Sequence, residues 1–159
     1  MKTAYIAFGS NLGDRHKNVD AALSELSLIS ETPLRVSSLW ETETVDIGGA
    51  APIRNGVVCL GTRLEPPALL SKLQAIEEAL GRPRDHGSNL SRQIDLDIVC
   101  VDDLVMDSPQ LTLPHPRARE RRFVLAPLAE IAPDLLLPGE SDTVTELLEK
   151  APPLAMRRL

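Results

Sequence analysis

Ser91-Arg92-Gln93-Ile94-Asp95-Leu96-Asp97-Ile98-Val99 is the stretch whose reading decides the fold. Ile94, Leu96 and Ile98 alternate with Asp95, Asp97 and Val99, the period of two that gives a strand two different faces. Asp95 and Asp97 therefore point the same way, roughly 6.6 Å apart at ~3.3 Å rise per residue. At that distance two carboxylates repel by about 0.6 kcal/mol in water and by about 2.5 kcal/mol at an effective dielectric near 20. On an exposed edge such a pair is nearly free of penalty. In a sheltered cleft, on an inner strand as expected here, it calls for cations, and Mg²⁺ prefers hard oxygen ligands of this kind.

An arbitrary Asp-x-Asp is a solvated strand face, so its surroundings decide the reading. Arg82, Arg84 and Arg92 precede the pair, and His115, Arg117, Arg119, Arg121 and Arg122 follow it, with no Lys between Arg82 and Arg122. Guanidinium groups are planar, always charged and matched to phosphate oxygens. Acids on one face with arginines in the flanking loops make a metal–polyphosphate site. Arg117, Arg119 and Arg122 are read as a solvated helix face.

A formal net charge of −6 disfavours a general nucleic-acid or anionic-membrane binder and suits a small anionic ligand held by a local Arg cluster. Aromatics make up only 3% of the 159 residues, so each of Tyr5, Phe8, Trp40 and Phe123 has to be located. Cys59 and Cys100 sit in apolar runs without metal or redox spacing and read as buried free thiols, as in a reducing cytosol. Met1-Lys2-Thr3 leads straight into a strand, and no apolar run reaches the ~18 residues of a bilayer span, so a cytoplasmic protein is expected.

Thr3 to Phe8 reads as a central strand, broken by Gly9-Ser10-Asn11-Leu12-Gly13, with Asp14 placed to cap a helix over Arg15 to Leu28. That turn lacks a P-loop's ending and reads as structural first and a ligand wall second. Leu34 to Thr42 is one β-capable stretch, 44–52 a Gly-containing loop able to close, and Asn55 to Arg63 a strand with Asn55, Val57 and Cys59 on one face. Pro66-Pro67 starts a helix whose Leu69, Leu73, Ile76 and Leu80 form an apolar stripe, with Gly81 as its stop and Gln74 and Glu77 together on a solvated flank. After the Asp95/Asp97 strand, Pro114-His115-Pro116 presents His115 rigidly. Short helices follow near Arg117 to Arg121 and Phe123 to Ile131, the latter with Pro127 in its first turn, then one over Val144 to Lys150, and 151–159 is loosely held. This order predicts an α+β fold in one domain, 1–159. It is a ferredoxin-like βαββαβ antiparallel sheet with helices on one face, a C-terminal helical extension, and the other face free for ligand.

Three motifs then coincide: Gly9-Ser10-Asn11-Leu12-Gly13, Arg92-Gln93-Ile94-Asp95-Leu96-Asp97-Ile98, and Pro114-His115-Pro116-Arg117 leading to Arg121-Arg122-Phe123-Val124-Leu125-Ala126-Pro127-Leu128. With Glu130-Ile131-Ala132-Pro133 they make the chain resemble the 6-hydroxymethyl-7,8-dihydropterin pyrophosphokinase family of folate biosynthesis. The resemblance implies Mg²⁺-dependent transfer of the β,γ-diphosphate of ATP to a pterin hydroxymethyl group, with release of AMP. Carried over by position, Asp95 and Asp97 would hold two Mg²⁺ ions, and Arg82 and Arg92 would join them as catalytic residues. Arg82, Arg84, Arg92, His115 and Arg121 would contact phosphates, while Gln74, Glu77 and Thr112 would line the nucleotide site. Thr42, Val45, Asn55, Asp95 and Phe123 would surround the pterin, with Phe123 stacking on its ring.

The chain departs from the family pattern at Thr44 (usually Pro), Asp46 (usually Gly), Ile53 (usually aromatic) and the 88–91 run, where Asn89 stands in place of part of an Arg-Trp-Gly-Pro sequence. Two other readings stay open beside the pterin enzyme: a diverged pyrophosphoryl transferase acting on another small alcohol, and a non-catalytic ferredoxin-like ligand- or RNA-binding module. An RNA-binding sheet would carry paired aromatics in a basic setting, and neither occurs here. A monomer or weak dimer, with small-molecule partners only, is expected.

Overall fold

The computed structural model describes residues 1–43, 52–81 and 93–159. Strand β1, Lys2–Ser10, is apolar on both sides because it is covered on both sides: Ala4, Ile6 and Phe8 enter one core and Tyr5 the other. Asp14 caps helix α1, Arg15–Ile29, by accepting the Lys17 N–H at 3.1 Å, and Val19, Ala22 and Leu26 form its buried stripe. The expected stretch to Thr42 divides into β2, Arg35–Val36, and β3, Trp40–Thr42. The break has a cause in Ser37, whose hydroxyl accepts the Val57 N–H at 3.0 Å.

Strand β4 spans Ile53–Thr62 and helix α2 Pro66–Ala79, with Gly81 in the left-handed region (φ +110) past its end, as the Gly stop predicts. Strand β5, Asp95–Val101, is followed by a small hairpin of β6, Met106–Asp107, and β7, Thr112–Leu113. A 3₁₀ turn at Ala118–Glu120 then leads into α3, Arg122–Ile131, α4, Val144–Lys150, and β8, Met156–Arg158. No helix among the described residues is long and apolar enough to cross a membrane.

The main sheet is antiparallel in the order β5-β1-β4-β3-β8, with β2 also on β4. Counting β1, β3, β4 and β5 as the four strands of the βαββαβ unit, they lie fourth, first, third, second across the sheet, the ferredoxin-like arrangement. Four expectations are corrected within it. First, β5 is an edge strand, since the last strand of such a unit pairs only with β1. Its outer edge is nevertheless covered: the Leu96 N–H donates to Glu77 Oε2 (2.7 Å), and the His115 N–H donates to the Val99 carbonyl (2.8 Å).

Second, α1 and α2 do share one face, but the opposite face is not left free. Val124, Leu125 and Leu128 of α3 and Val144 and Leu147 of α4 pack there against Tyr5, Val57, Cys59, Val99 and Cys100. The β5 register against β1 slips between Tyr5 and Ile6, and both Val99 and Cys100 join this second core. Third, Pro127 lies in the interior of α3 instead of its first turn. Fourth, the tail is not loose. β8 pairs with the free edge of β3, and Arg157 donates to Glu41 Oε2 at 2.9 Å.

Candidate functional site

Strand pairing places the site, because residues directly opposite on neighbouring strands share a face. Gly9 lies between Asp95 of β5 and Asn55 of β4, and Ala7 between Asp97 and Val57. Trp40 faces Asn55, and Thr42 faces Ile53. One sheet face thus carries the two carboxylates at its β5 edge and Thr42, Asn55 and Ile53 toward β3. Gly9 and Ala7 of β1 form the floor between them. A Cβ at Gly9 would come within 3.1 Å of Ile53 Cγ2, so a larger residue would fill that floor. Sequence reasoning took Gly9 only as part of a turn, with a ligand wall as its second reading, and missed Ala7, whose small side chain was the available signal.

Asp95 and Asp97 are half-buried, neither in open water nor sealed among apolar groups. Arg121 is near enough to feel both. Burial and Arg117 lower its guanidinium's proton affinity, while Asp97 and Asp95 oppose that shift. The His115 imidazole is also held below its ordinary pKa, chiefly by burial and then by Arg121 and Arg117, against the pull of Asp95. Its Nδ1 accepts the Arg117 N–H at 3.2 Å, so the neutral ring presents Nε2–H as a donor. Arg119 and Arg122 serve elsewhere: Arg119 pairs with Glu140 (3.0 Å), and Arg122 donates to the Ala151 carbonyl (2.8 Å). Among the described residues no group of three or more His, Cys, Asp or Glu side chains could hold a metal ion. A cation at Asp95 and Asp97 would therefore need phosphate or water to complete its shell, a common arrangement for Mg²⁺.

At the other end of the floor, Thr42 Oγ1 donates to Asn55 Oδ1 (2.7 Å), and Asn55 Nδ2 donates to the Phe123 carbonyl (2.8 Å). Thr42 and Asn55 are each only 3% exposed. Phe123 is half-buried at the start of α3, with the Arg121 guanidinium 5.4 Å from its ring centroid. Trp40 is half-buried in β3, and its Nε1–H donates to Glu130 Oε1 at 2.6 Å.

Of the remaining expected residues, Gln74 and Glu77 belong to α2 and Thr112 to β7. Gln74 is exposed on α2 as expected, but Glu77 is not its solvated neighbour. It is 6% exposed because its carboxylate holds the Leu96 amide of β5. Thr112 is half-buried in β7, opposite Asp107. Val45, Arg82, Arg84 and Arg92 lie outside the described residues, as do Thr44, Asp46, Asn89 and nearly all of the 44–52 loop expected to close.

The profile of the 7,8-dihydro-6-hydroxymethylpterin-pyrophosphokinase (HPPK) family matches residues 5–133. The chain belongs to this family. A Pseudomonas aeruginosa HPPK relative, named 2-amino-4-hydroxy-6-hydroxymethyldihydropteridine pyrophosphokinase, is 39% identical over 160 residues, covering 100% of this chain and 98% of that one. A Schizosaccharomyces pombe folic acid synthesis protein is 41% identical over 98% of this chain, which spans only 21% of that longer protein. The crystal structure of wild-type Plasmodium falciparum HPPK-DHPS with pteroate aligns with a TM-score of 0.73 at 14% identity, covering 94% of this chain and 42% of that one. At that identity the likeness speaks for the HPPK fold alone.

Proposed function

We propose that this protein transfers the diphosphate of ATP to 6-hydroxymethyl-7,8-dihydropterin, giving AMP and the pterin diphosphate in folate biosynthesis. The observation that carries this reading is the single sheet face with paired carboxylates, Arg121 and His115 at one end and Thr42, Asn55 and Phe123 at the other. Family membership and the name of the Pseudomonas aeruginosa relative support the same chemistry. On this reading residues 1–159 act as one domain, a monomer or weak dimer in the cytoplasm, without nucleic-acid or membrane partners.

Asp95 and Asp97 would hold two Mg²⁺ ions, which would supply charge neutralisation for the triphosphate. Arg121 and the neutral His115, through Nε2–H, bind phosphate oxygens, and Arg82, Arg84 and Arg92 join them. Gln74, Glu77 and Thr112 border the nucleotide, with Glu77 acting through the β5 backbone that it holds. Thr42, Val45, Asn55 and Phe123 seat the pterin so that its hydroxymethyl oxygen points across Gly9 toward Asp95. Phosphoryl transfer rests on positioning and charge neutralisation, so the acceptor oxygen needs no strong base. The 44–52 and 83–91 loops exclude water, which would otherwise hydrolyse ATP.

Ile53, replacing the usual aromatic, removes one stacking partner worth ~1 kcal/mol, a loss that raises KM without abolishing binding. It also keeps open a diverged transferase with a different alcohol as acceptor. Purified protein incubated with ATP, MgCl₂ and 6-hydroxymethyl-7,8-dihydropterin should release one AMP per pterin consumed. AMP only with another alcohol would favour the diverged enzyme. Failure to bind ATP or form AMP under any of these conditions would refute both and leave a non-catalytic module.

A further inference from the structure

Pro127 lies inside α3, four residues after Phe123. A residue at that position would normally donate its N–H to the Phe123 carbonyl, but proline has none to give. The carbonyl is taken instead by Asn55 Nδ2 across the sheet-to-helix gap, at 2.8 Å. The other end of the same amide accepts from Thr42 at 2.7 Å. Asn55 is therefore held at both ends, its nitrogen toward α3 and its oxygen toward β3, and a flipped amide would set its oxygen against the Phe123 carbonyl and lose that bond.

We propose that Pro127 is a positioning residue for the acceptor pocket. By withholding one helical hydrogen bond it leaves the Phe123 carbonyl to Asn55, and this fixes both the amide's orientation and the stance of Phe123 over the sheet. The inference rests on the proposed pterin site at Thr42, Asn55 and Phe123. It weighs more in this chain because Ile53, which shares the sheet face of Asn55, is aliphatic and cannot stack. Pro127 is also buried beside Val124, Leu125 and Leu128, so the alternative is a proline kept only for packing.

Pro127→Ala restores the amide while leaving a small apolar side chain. The restored bond draws the Phe123 carbonyl toward the helix axis and away from Asn55. The KM for the pterin should rise about 3- to 10-fold, the equivalent of one hydrogen bond. The kcat and the KM for ATP should stay put, and the thermal midpoint should hold or rise. A merely structural proline would show a lowered midpoint with no selective change in pterin KM.

Asn55→Asp keeps an acceptor for Thr42 and removes the donor to Phe123. If Pro127 acts through Asn55, adding Pro127→Ala to Asn55→Asp changes pterin KM no further. An unchanged KM in Pro127→Ala, or effects that multiply in the double variant, would overturn the proposal. Pro127→Ser also restores the amide and replaces the Ala variant should that one not fold. Wild-type protein without pterin turnover would defeat the reading of the site and this proposal with it. Turnover with an unmoved KM in Pro127→Ala defeats this proposal alone.

Discussion

Asp95 and Asp97 are held side by side by the two-residue repeat of β5, and their half-burial keeps their mutual repulsion from being fully screened. On the proposed reading they bind cations, so replacing either with Asn should lower turnover by roughly 10²–10³, the scale of losing one preorganised charge-stabilising group. The thermal midpoint should stay level or rise as the repulsion is relieved. A midpoint that falls together with activity would mark the pair as structural. The direction of these side chains was legible in the sequence, because a period of two fixes a strand's faces without any tertiary knowledge. The fate of Glu77 was not. Helical spacing places it on a flank beside Gln74, but its burial follows from β5 being an edge strand whose Leu96 amide needs an acceptor, a fact set by strand order.

Elements with a local cause were read correctly, including the Asp14 cap, the Pro66 start and the Gly81 stop. Gly81 is required as glycine by its φ of +110, which is unfavourable to L side chains; the Gln93 amide nearest to a Cβ there ends a flexible side chain and can swing aside. Gly81→Ala should destabilise the fold by about 1–2 kcal/mol or more, read as a lower urea midpoint at unchanged slope. An equal midpoint would show that the backbone relaxes freely at this point.

β8 was illegible because three residues form a strand only when a distant edge pairs with them, and β3 is far away in sequence. Its anchor is Glu41, which faces Arg157, Arg15 and Arg54. Hydrogen bonding from Arg157 leads the effects that hold the Glu41 carboxyl below its ordinary pKa, with burial opposing. A lowered folded pKa contributes stability that is complete above the unfolded value near 4.5 and is lost as pH falls through the folded one. Arg157→Ala should therefore lower the thermal midpoint at neutral pH, and the gap to wild type should close as pH falls from 4.5 through the folded-state value below it. A gap independent of pH would mean that Arg157 acts by packing alone.

Across the whole molecule, two cores share one sheet and leave one part of one face for chemistry. α1 and α2 seal the first face, while α3 and α4 close the second around Tyr5 and Val57 and stop short of the Gly9 floor. The covering of the second face was hidden from the sequence, because the apolar faces of α3 and α4 do not state which side of a sheet they will meet. On the proposed reading, a chain of net charge −6 gathers a polyanion here through a local set of arginines and a metal held by the acids beside them. The account depends on that metal–phosphate pairing at Asp95 and Asp97. Calorimetric titration with the unreactive analogue α,β-methylene ATP, with and without Mg²⁺, tests it in wild type and in Asp97→Asn. The account predicts that Mg²⁺ tightens binding to the wild type and gives no such gain in the variant. Equal affinity with and without Mg²⁺ in the wild type, or a full gain retained in Asp97→Asn, would contradict it.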